Sequence, residues 1–151
     1  VSRKVKGSAN RRKAILKLAK AHFRAACTRK DVLHKLTTAL VRQASLVGIE
    51  DLNVAGMLKN HTLAQAIADG AWAELRRQLE YKAPAFGSRV VAIGRFVASS
   101  KICNHCGHIN EDLELSTRAW DCTNPICRLP LDRDLNAARN IRDEAKRLAG
   151  A

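Results

Sequence analysis

The chain has 151 residues, which is room for one domain and a small satellite. Lysine and arginine outnumber the acidic residues by 27 to 14, and the resulting net charge of +13 favours a polyanionic partner, most simply nucleic acid. Aromatic residues make up 4% of the chain, which disfavours extensive base stacking on aromatic platforms. No apolar run in this sequence approaches membrane length.

A long basic helix is predicted near the N-terminus. Residues 9–47 contain neither Gly nor Pro, and apolar residues recur there at helical spacing. The pattern predicts one long helix, or two with a break near Thr28. Cys27 lies on this helix and is predicted to be a small buried or half-buried side chain. The first half also carries the basic side chains that are candidates for nucleic-acid binding: Arg11, Arg12, Lys13, Lys17, Lys20 and Arg24. For any single one, a solvated helix face is the simpler explanation.

A short buried strand that ends in two carboxylates is predicted next. The apolar run over residues 46–49 is followed directly by Glu50 and Asp51. Open sheets place their sites at the carboxyl ends of strands, so Glu50 is a candidate site residue. The alternative is a turn with two solvated acids.

The middle of the chain is predicted to hold a second helix and a second strand. Residues 56–60 have the composition of a linker, and apolar residues then recur at helical spacing from Leu63 to Leu79. Trp72 is predicted to belong to the core rather than to contact a base. Residues 89–93 are rich in β-branched side chains and predict a strand.

Two pairs of cysteines have the spacing of a zinc ribbon: Cys103, Cys106, Cys122 and Cys127. Two thiolates from each of two tight turns can converge on one Zn²⁺. The second pair has four intervening residues instead of two, which still falls in the range of structural sites. Trp120 is predicted to pack inside this ribbon. A disulfide pair, buried free cysteines, or substitution by His105 or His108 are the alternatives, and the absence of a secretory signal in this sequence disfavours the disulfide.

The last helix is predicted over residues 135–148, with acidic residues at its entry. Asp134 is predicted to be the N-cap, where a short carboxylate can accept backbone N–H groups. The other role open to Asp134 is that of a metal-binding carboxylate presented at the start of a helix. Asp132 is the reserve candidate for that role.

Three runs carry a resemblance to a known protein family: Ile49-Glu50-Asp51-Leu52, Arg95-Phe96-x-x-Ser99-Ser100-Lys101-x-Cys103-x-x-Cys106-Gly107, and Asp132-Arg133-Asp134-x-Asn136-Ala137-Ala138-x-Asn140-Ile141. With the two later cysteines, they resemble the C-terminal end of TnpB-type proteins. These are the OrfB "transposases" of insertion sequences, RNA-guided DNA nucleases related to type V CRISPR effectors.

The resemblance implies an α+β protein with a partial RNase H-like (RuvC) fold, a long N-terminal helix and an inserted zinc ribbon. Residues 1–98 would form the partial RuvC-like region, residues 99–130 the ribbon and residues 131–151 the closing helix. Glu50 and Asp134 would be two of three catalytic carboxylates that hold Mg²⁺ in the complete protein, beside a structural Zn²⁺. DNA and a guide RNA would be its partners, in the prokaryotic cytoplasm and at the nucleoid when bound to DNA.

The family's first catalytic Asp, on the opening strand of the sheet, has no match in this sequence. Asp31 is the one acid upstream of Glu50, and no strand pattern surrounds it. We therefore expect a C-terminal part of a longer nuclease, inactive on its own. A nuclease-dead remnant that only binds nucleic acid and zinc is the alternative. An unrelated zinc-ribbon adaptor is disfavoured by the paired Glu50 and Asp134 motifs.

Overall fold

The computed structural model describes residues 1–62, 64–114 and 116–150. Its helices are α1 (Ala9–Gln43), α2 (Val54–Met57), α3 (Ala64–Gly70), α4 (Trp72–Lys82) and α5 (Arg133–Ala149), with a 3₁₀ turn over Ala83–Phe86. Its strands are β1 (Leu46–Glu50), β2 (Arg89–Ile93), β3 (Ala119–Asp121) and β4 (Pro130–Asp132). The fold is therefore a mixture of helix and strand, as predicted. The predicted helix position Leu63 and the terminal Ala151 lie outside the described residues.

Strands β1 and β2 form a parallel pair, in register from Leu46 opposite Arg89 to Glu50 opposite Ile93. Helix α5 packs against both strands. A Cβ atom added at Gly48 would lie 2.9 Å from the Cβ of Ala145 and 3.1 Å from a carbonyl oxygen of α5. The glycine therefore allows α5 to lie directly on β1.

The second half of α1 is fixed to α4 by an apolar cluster and by a buried lysine. Val41, Leu79 and Ala83 form the buried centre of the cluster. Beside it, the ammonium group of Lys82 donates to the hydroxyl of Thr37 at 2.7 Å and to a carbonyl and a second hydroxyl of α1 at 2.9 and 3.0 Å. Burial lowers the pKa of Lys82. These polar contacts fix the direction in which α1 leaves the body of the protein, because each satisfies a group removed from water.

The first half of α1 is unpartnered within the described part of the chain. The helix is continuous, so the possible break near Thr28 is absent, and Ser8 caps it by accepting a hydrogen bond from the backbone N–H of Arg11 at 3.2 Å. Every residue from 15 to 32 is exposed. The prediction that Cys27 is buried or half-buried is therefore wrong: helical spacing identifies a face of α1, but no described segment covers that face.

The segment between the parallel strands differs from prediction in three places. The predicted linker contains α2, capped by Asn53, whose side chain accepts a hydrogen bond from the backbone N–H of Gly56 at 3.0 Å. The predicted single helix is divided into α3 and α4 at Ala71, which has a left-handed backbone with φ of 47°. Trp72 begins α4 and is 44% exposed. Its predicted core position is wrong, because the break places its indole against Gly70 at the end of α3 instead of in the core.

Strands β3 and β4 are antiparallel and belong to the cysteine-rich segment, with Trp120 opposite Leu131. These two side chains form a buried cluster with Leu113, Cys103 and Cys122, and Trp120 is only 8% exposed. The prediction that Trp120 packs inside this segment is confirmed. Within the described ranges, no helix combines the length and the apolar character that crossing a membrane requires.

Candidate functional site

The four predicted metal ligands converge on one point. The sulfur atoms of Cys103, Cys106, Cys122 and Cys127 all lie within 4.8 Å of one another. The Cys103 and Cys127 sulfurs are 3.9 Å apart, and the Cys106 and Cys122 sulfurs are 3.6 Å apart. Four thiolates at tetrahedral Zn–S geometry would be separated by about 3.8 Å, whereas a disulfide needs about 2.05 Å. The cluster can therefore hold a metal ion. The disulfide alternative is contradicted, and neither alternative histidine belongs to this group.

The two turns that present these cysteines are built alike. In the first, the backbone N–H of Cys103 donates to the carbonyl of His108 at 2.8 Å; in the second, the N–H of Cys122 donates to the carbonyl of Leu129 at 2.9 Å. The two extra residues of the second turn are accommodated because the carbonyl of Asn124 accepts two backbone N–H groups of the turn. The longer spacing of the second pair is therefore no obstacle to convergence.

The pKa values of the Cys106 and Cys122 thiols are shifted in opposite directions. A hydrogen bond from the backbone N–H of His108 lowers the pKa of Cys106 to about 7, whereas burial raises the pKa of Cys122 to about 12. Metal binding requires thiolates, so it must displace protons from this cluster. The affinity of the site for a divalent metal will accordingly fall as the pH is lowered.

Glu50 is the last residue of β1, and its exposed carboxylate accepts a hydrogen bond from the hydroxyl of Ser99 at 2.8 Å. The next residue, Asp51, is paired with the guanidinium groups of Arg76 and Arg95, each at 2.8 Å. The hydrogen bond from Arg76, together with the charge of Arg95, lowers the pKa of Asp51. Asp51 thus anchors the turn after β1, while Glu50 extends from the strand end.

Asp134 does not cap α5, so that prediction is wrong. The N-cap is Asp132, whose carboxylate accepts the backbone N–H of Leu135 at 2.8 Å. Asp132 ends β4 with extended backbone, so the helix begins at the next residue and Asp134 falls in its first turn. The carboxylate of Asp134 is 72% exposed and lies 3.3 Å from Arg118 and 3.6 Å from Arg133. Asp132, the reserve candidate for the metal-binding carboxylate, is therefore occupied by capping. Asp134, the preferred candidate, remains on the surface.

Asp134 lies on the same side of α5 as the residues that contact β1. Ile141 and Ala145 are the residues of α5 that meet Gly48 on β1. Asp134 precedes them by seven and eleven residues, which is about two and three helical turns, so all three lie on one side of the helix. Asp134 therefore continues the stripe of α5 that faces β1.

The end of β1 is connected to α5 by hydrogen bonds through Ser99. Gly48 meets α5 at residues 141–145, whereas Glu50 is linked through Ser99 to Asn140, whose side chain donates to the Ser99 carbonyl at 2.7 Å. Glu50 is thus connected to α5 at a position next to the residues that meet Gly48. Asp134 lies six residues before Asn140, about 9 Å along the helix.

A cavity of about 560 Å³ adjoins Glu50. Side chains of β1, α4 and α5 line it, among them Ile49, Leu75 and Ile141, and Arg95 and Trp72 also contribute to its wall. Among the described strands, β1 pairs only with β2. Because most of these lining side chains are apolar, the cavity is a mostly apolar space beside the end of β1.

The six predicted nucleic-acid-binding residues all lie on the projecting half of α1. Twelve of the 27 basic residues but only one of the 14 acids fall in residues 1–35, so most of the net charge is concentrated there. Four of the six recur at intervals of four, three and four residues and share one side of the helix: Lys13, Lys17, Lys20 and Arg24. We call these four residues the basic ridge.

Comparison with known proteins adds two family models. The OrfB model, described as "Probable transposase", matches residues 1–61, and the "Cas12f1-like, TNB domain" model matches residues 72–141. A "Putative RNA-guided DNA endonuclease" of Streptomyces pristinaespiralis is 52% identical over 93% of this chain and 34% of its own length. InsQ of Escherichia coli K12, with the same description, is 35% identical over 93% of this chain and 38% of its own length.

A solved structure, the cryo-EM structure of a Cas12f1–sgRNA–target DNA complex, has a similar fold. It matches with a TM-score of 0.64 and 20% sequence identity, over 87% of this chain and 38% of that one. This chain spans about a third of the length of the curated relatives it matches. The two matched models together cover the segments that contain Glu50, the four cysteines and Asp134. The chain belongs to the TnpB-like, OrfB family of insertion-sequence proteins.

Proposed function

We propose that this chain is the C-terminal part of a transposon-encoded, RNA-guided DNA endonuclease, and that Glu50 and Asp134 are two carboxylates of its RuvC-like centre. The proposal rests on helical geometry: Asp134 lies two and three turns before the residues of α5 that meet Gly48, on the same side of the helix, and Glu50 ends the strand that contains Gly48. The division into a partial RuvC-like region, a ribbon and a closing helix stays a prediction, as does a cytoplasmic, nucleoid-associated location.

The donor set suits a hard cation. Glu50 and Asp134 offer exposed carboxylate oxygens, which Mg²⁺ prefers, and the exposure leaves room for the waters that Mg²⁺ retains. When bound, a pair of Mg²⁺ ions would stabilise the attacking and leaving oxygens of phosphodiester cleavage. The chain's own contribution is orientation: Ser99 holds one oxygen of Glu50, and Asp51 fixes the following turn through Arg76 and Arg95.

For the cysteine cluster we infer Zn²⁺ as the ion. Four sulfur ligands at near-tetrahedral separations select Zn²⁺ over the oxygen-seeking cations. The two parts of the chain would thus hold different metals for different purposes, Zn²⁺ for structure and Mg²⁺ for catalysis.

One observation favours the alternative, a nuclease-dead module that binds nucleic acid. Asp31, the one acid before Glu50, lies on the exposed surface of α1 and pairs with Lys35 at 2.6 Å. It cannot serve as the third carboxylate beside β1 in this arrangement. We infer that the third carboxylate belongs to the part of the longer relatives that this chain does not span.

The test is to complete the protein. We expect these 151 residues alone not to cleave target DNA with Mg²⁺ and guide RNA, because two carboxylates leave the metal pair under-neutralised. The preceding part of the Streptomyces pristinaespiralis relative, fused in front of this chain and given its guide RNA, should produce Mg²⁺-dependent cleavage. We call this fusion the completed protein. Robust cleavage by the 151 residues alone, lost in Asp134→Ala, would refute the need for a third acid.

The basic ridge should dominate nucleic-acid binding. Replacing Lys13, Lys17, Lys20 and Arg24 with Gln should make the log–log dependence of affinity on salt shallower by about 3 to 4, since each duplex phosphate contact contributes about 0.9. The control removes the same charge from the other side of α1, through Arg11, Arg12, Arg29 and Lys30. Equal losses in the two variants would show that only the total charge matters. Binding that is insensitive to salt would contradict an electrostatic mode altogether.

A further inference from the structure

The first cysteine turn is connected to Glu50 by an unbroken series of hydrogen bonds. We propose that Ser99 is a positioning residue for the Glu50 carboxylate, and that the metal-holding ribbon controls this contact through asparagines of α5. The proposal rests on the proposed function for its catalytic consequence, but the coupling itself is a property of the fold and can be measured separately.

The series begins at Asn104, the residue after the first metal ligand. Its backbone N–H donates to the side-chain oxygen of Asn136 at 2.9 Å, and its side-chain amide donates to the oxygen of Asn140 at 3.1 Å and to Asp143 at 2.9 Å. Asn136 and Asn140 are four residues apart, so they share one side of α5. The first turn of the ribbon is therefore attached to the helix that carries Asp134.

The same two asparagines hold the segment that leads into the ribbon. Their side-chain amides both donate to the carbonyl of Ile102, at 2.7 and 2.6 Å, and Asn140 also donates to the carbonyl of Ser99 at 2.7 Å. The hydroxyl of Ser99 in turn donates to the Glu50 carboxylate at 2.8 Å. The hydrogen bonds of Asn104 in the first cysteine turn are thus connected, through α5 and Ser99, to the end of β1.

Burial makes this series behave as a unit. Asn136 is 1% exposed and Ser99 is 6% exposed, so neither can replace a lost partner with water without local opening. Asn140 uses both amide hydrogens and its oxygen within the series. If the first turn moves, the side-chain oxygens of both asparagines lose the hydrogen bonds that they accept from Asn104. The asparagines can then shift, which releases the backbone at Ser99.

The position of the first cysteine turn should depend on the bound metal. The described core of the ribbon consists of Cys103, Cys122 and three apolar side chains, a cluster too small to hold two turns together by burial alone. Removing the metal should free Asn104 and, through the asparagines, Ser99. The Glu50 carboxylate would then lose its oriented donor although it lies in a different part of the fold.

The coupling can be tested on the zinc-loaded chain by NMR, without any nuclease assay. The side-chain carboxyl ¹³C resonance of Glu50 should shift in Ser99→Ala and not in Ser100→Ala, its neighbour. Chelation should shift it in the same direction in the wild type and have no further effect in Ser99→Ala. Asn104→Ala should reproduce part of the shift with zinc still bound, whereas Asn110→Ala should not.

Two results would overturn the coupling: a Glu50 resonance that does not move when chelation unfolds the ribbon, or one that still moves in Ser99→Ala. In the completed protein, Ser99→Ala should raise the Mg²⁺ concentration for half-maximal cleavage by about 10- to 100-fold, the usual effect of losing a group that orients a metal ligand. DNA affinity should stay unchanged. If Ser99→Ala cleaves DNA at the wild-type Mg²⁺ concentration while the NMR coupling is intact, only the catalytic role of Ser99 is rejected. If the wild-type completed protein does not cleave DNA, the result counts against the proposed function instead.

Discussion

Cys122→Ser should reduce the zinc content of the purified chain from about one per molecule to well below one, and should unfold the ribbon. Cys122 is 3% exposed and packs with Trp120 and Leu131, so its sulfur is part of the buried cluster as well as one of the four proposed ligands. Structural zinc sites of this kind contribute on the order of 10 kcal/mol to folding at neutral pH, far more than the few apolar side chains here can replace.

Metal analysis and tryptophan fluorescence measure this effect together. Trp120 is in the same buried cluster as Cys103 and Cys122, so its emission should shift to longer wavelength when the ribbon opens. The control is Cys27→Ser, on the exposed face of α1, which should change neither zinc content nor fluorescence. A stoichiometry near zero in reduced, chelator-free wild-type protein would contradict the metal site.

The cysteine cluster could be predicted from the sequence because its geometry is local. Each pair lies within one tight turn, and a turn of that length leaves few ways to arrange two sulfurs. The strand that ends at Glu50 could also be predicted, because an apolar run followed by acidic residues indicates both the strand and its end. The sequence therefore located the cysteine cluster and the strand that ends at Glu50.

The errors arose where a role depends on distant packing. Asp132 and Asp134 are two residues apart and equally suited to capping, and the choice depends on where β4 ends, which the pairing of β4 with β3 determines. Trp72 and Cys27 lie at helical positions that the sequence pattern assigns to an apolar face, but nothing in the pattern reveals whether another segment covers that face.

The asparagine series between the ribbon and Glu50 was missed for the same reason. Asn136 and Asn140 have the four-residue spacing of a shared helix face, which is a visible signal, but their partners are backbone groups more than 30 residues away. A polar side chain near a helix start is usually interpreted as solvated or as a cap. Only the fold shows that these two amides satisfy buried backbone groups.

In the completed protein, Glu50→Gln and Asp134→Asn should each lower the rate of DNA cleavage by on the order of 10³ or more, as removal of an essential catalytic group does. Each change removes a negative charge while keeping size and most hydrogen bonds, so the metal pair would lose a ligand without loss of the fold. Glu50→Gln keeps an acceptor for Ser99, and Asp134 is exposed on α5, so neither change disturbs the core.

Two neighbouring acids serve as controls. Asp132→Asn keeps the cap of α5, because Asn and Asp are equally good N-caps, and removes one charge two residues from Asp134. Asp31→Asn removes the exposed acid of α1. Both variants should cleave DNA at close to the wild-type rate if the assignment of Asp134 is correct.

We propose that Glu50 and Asp134 belong to the same metal-dependent nuclease centre. The most direct measurement is the single-turnover rate of target-DNA cleavage by the completed protein, compared at saturating Mg²⁺ for the wild type, Glu50→Gln, Asp134→Asn and Asp132→Asn, with zinc content and DNA binding confirmed for each. This assignment predicts loss of cleavage in Glu50→Gln and in Asp134→Asn, and retention in Asp132→Asn. Cleavage that survives Asp134→Asn, or that is abolished by Asp132→Asn instead, would contradict it.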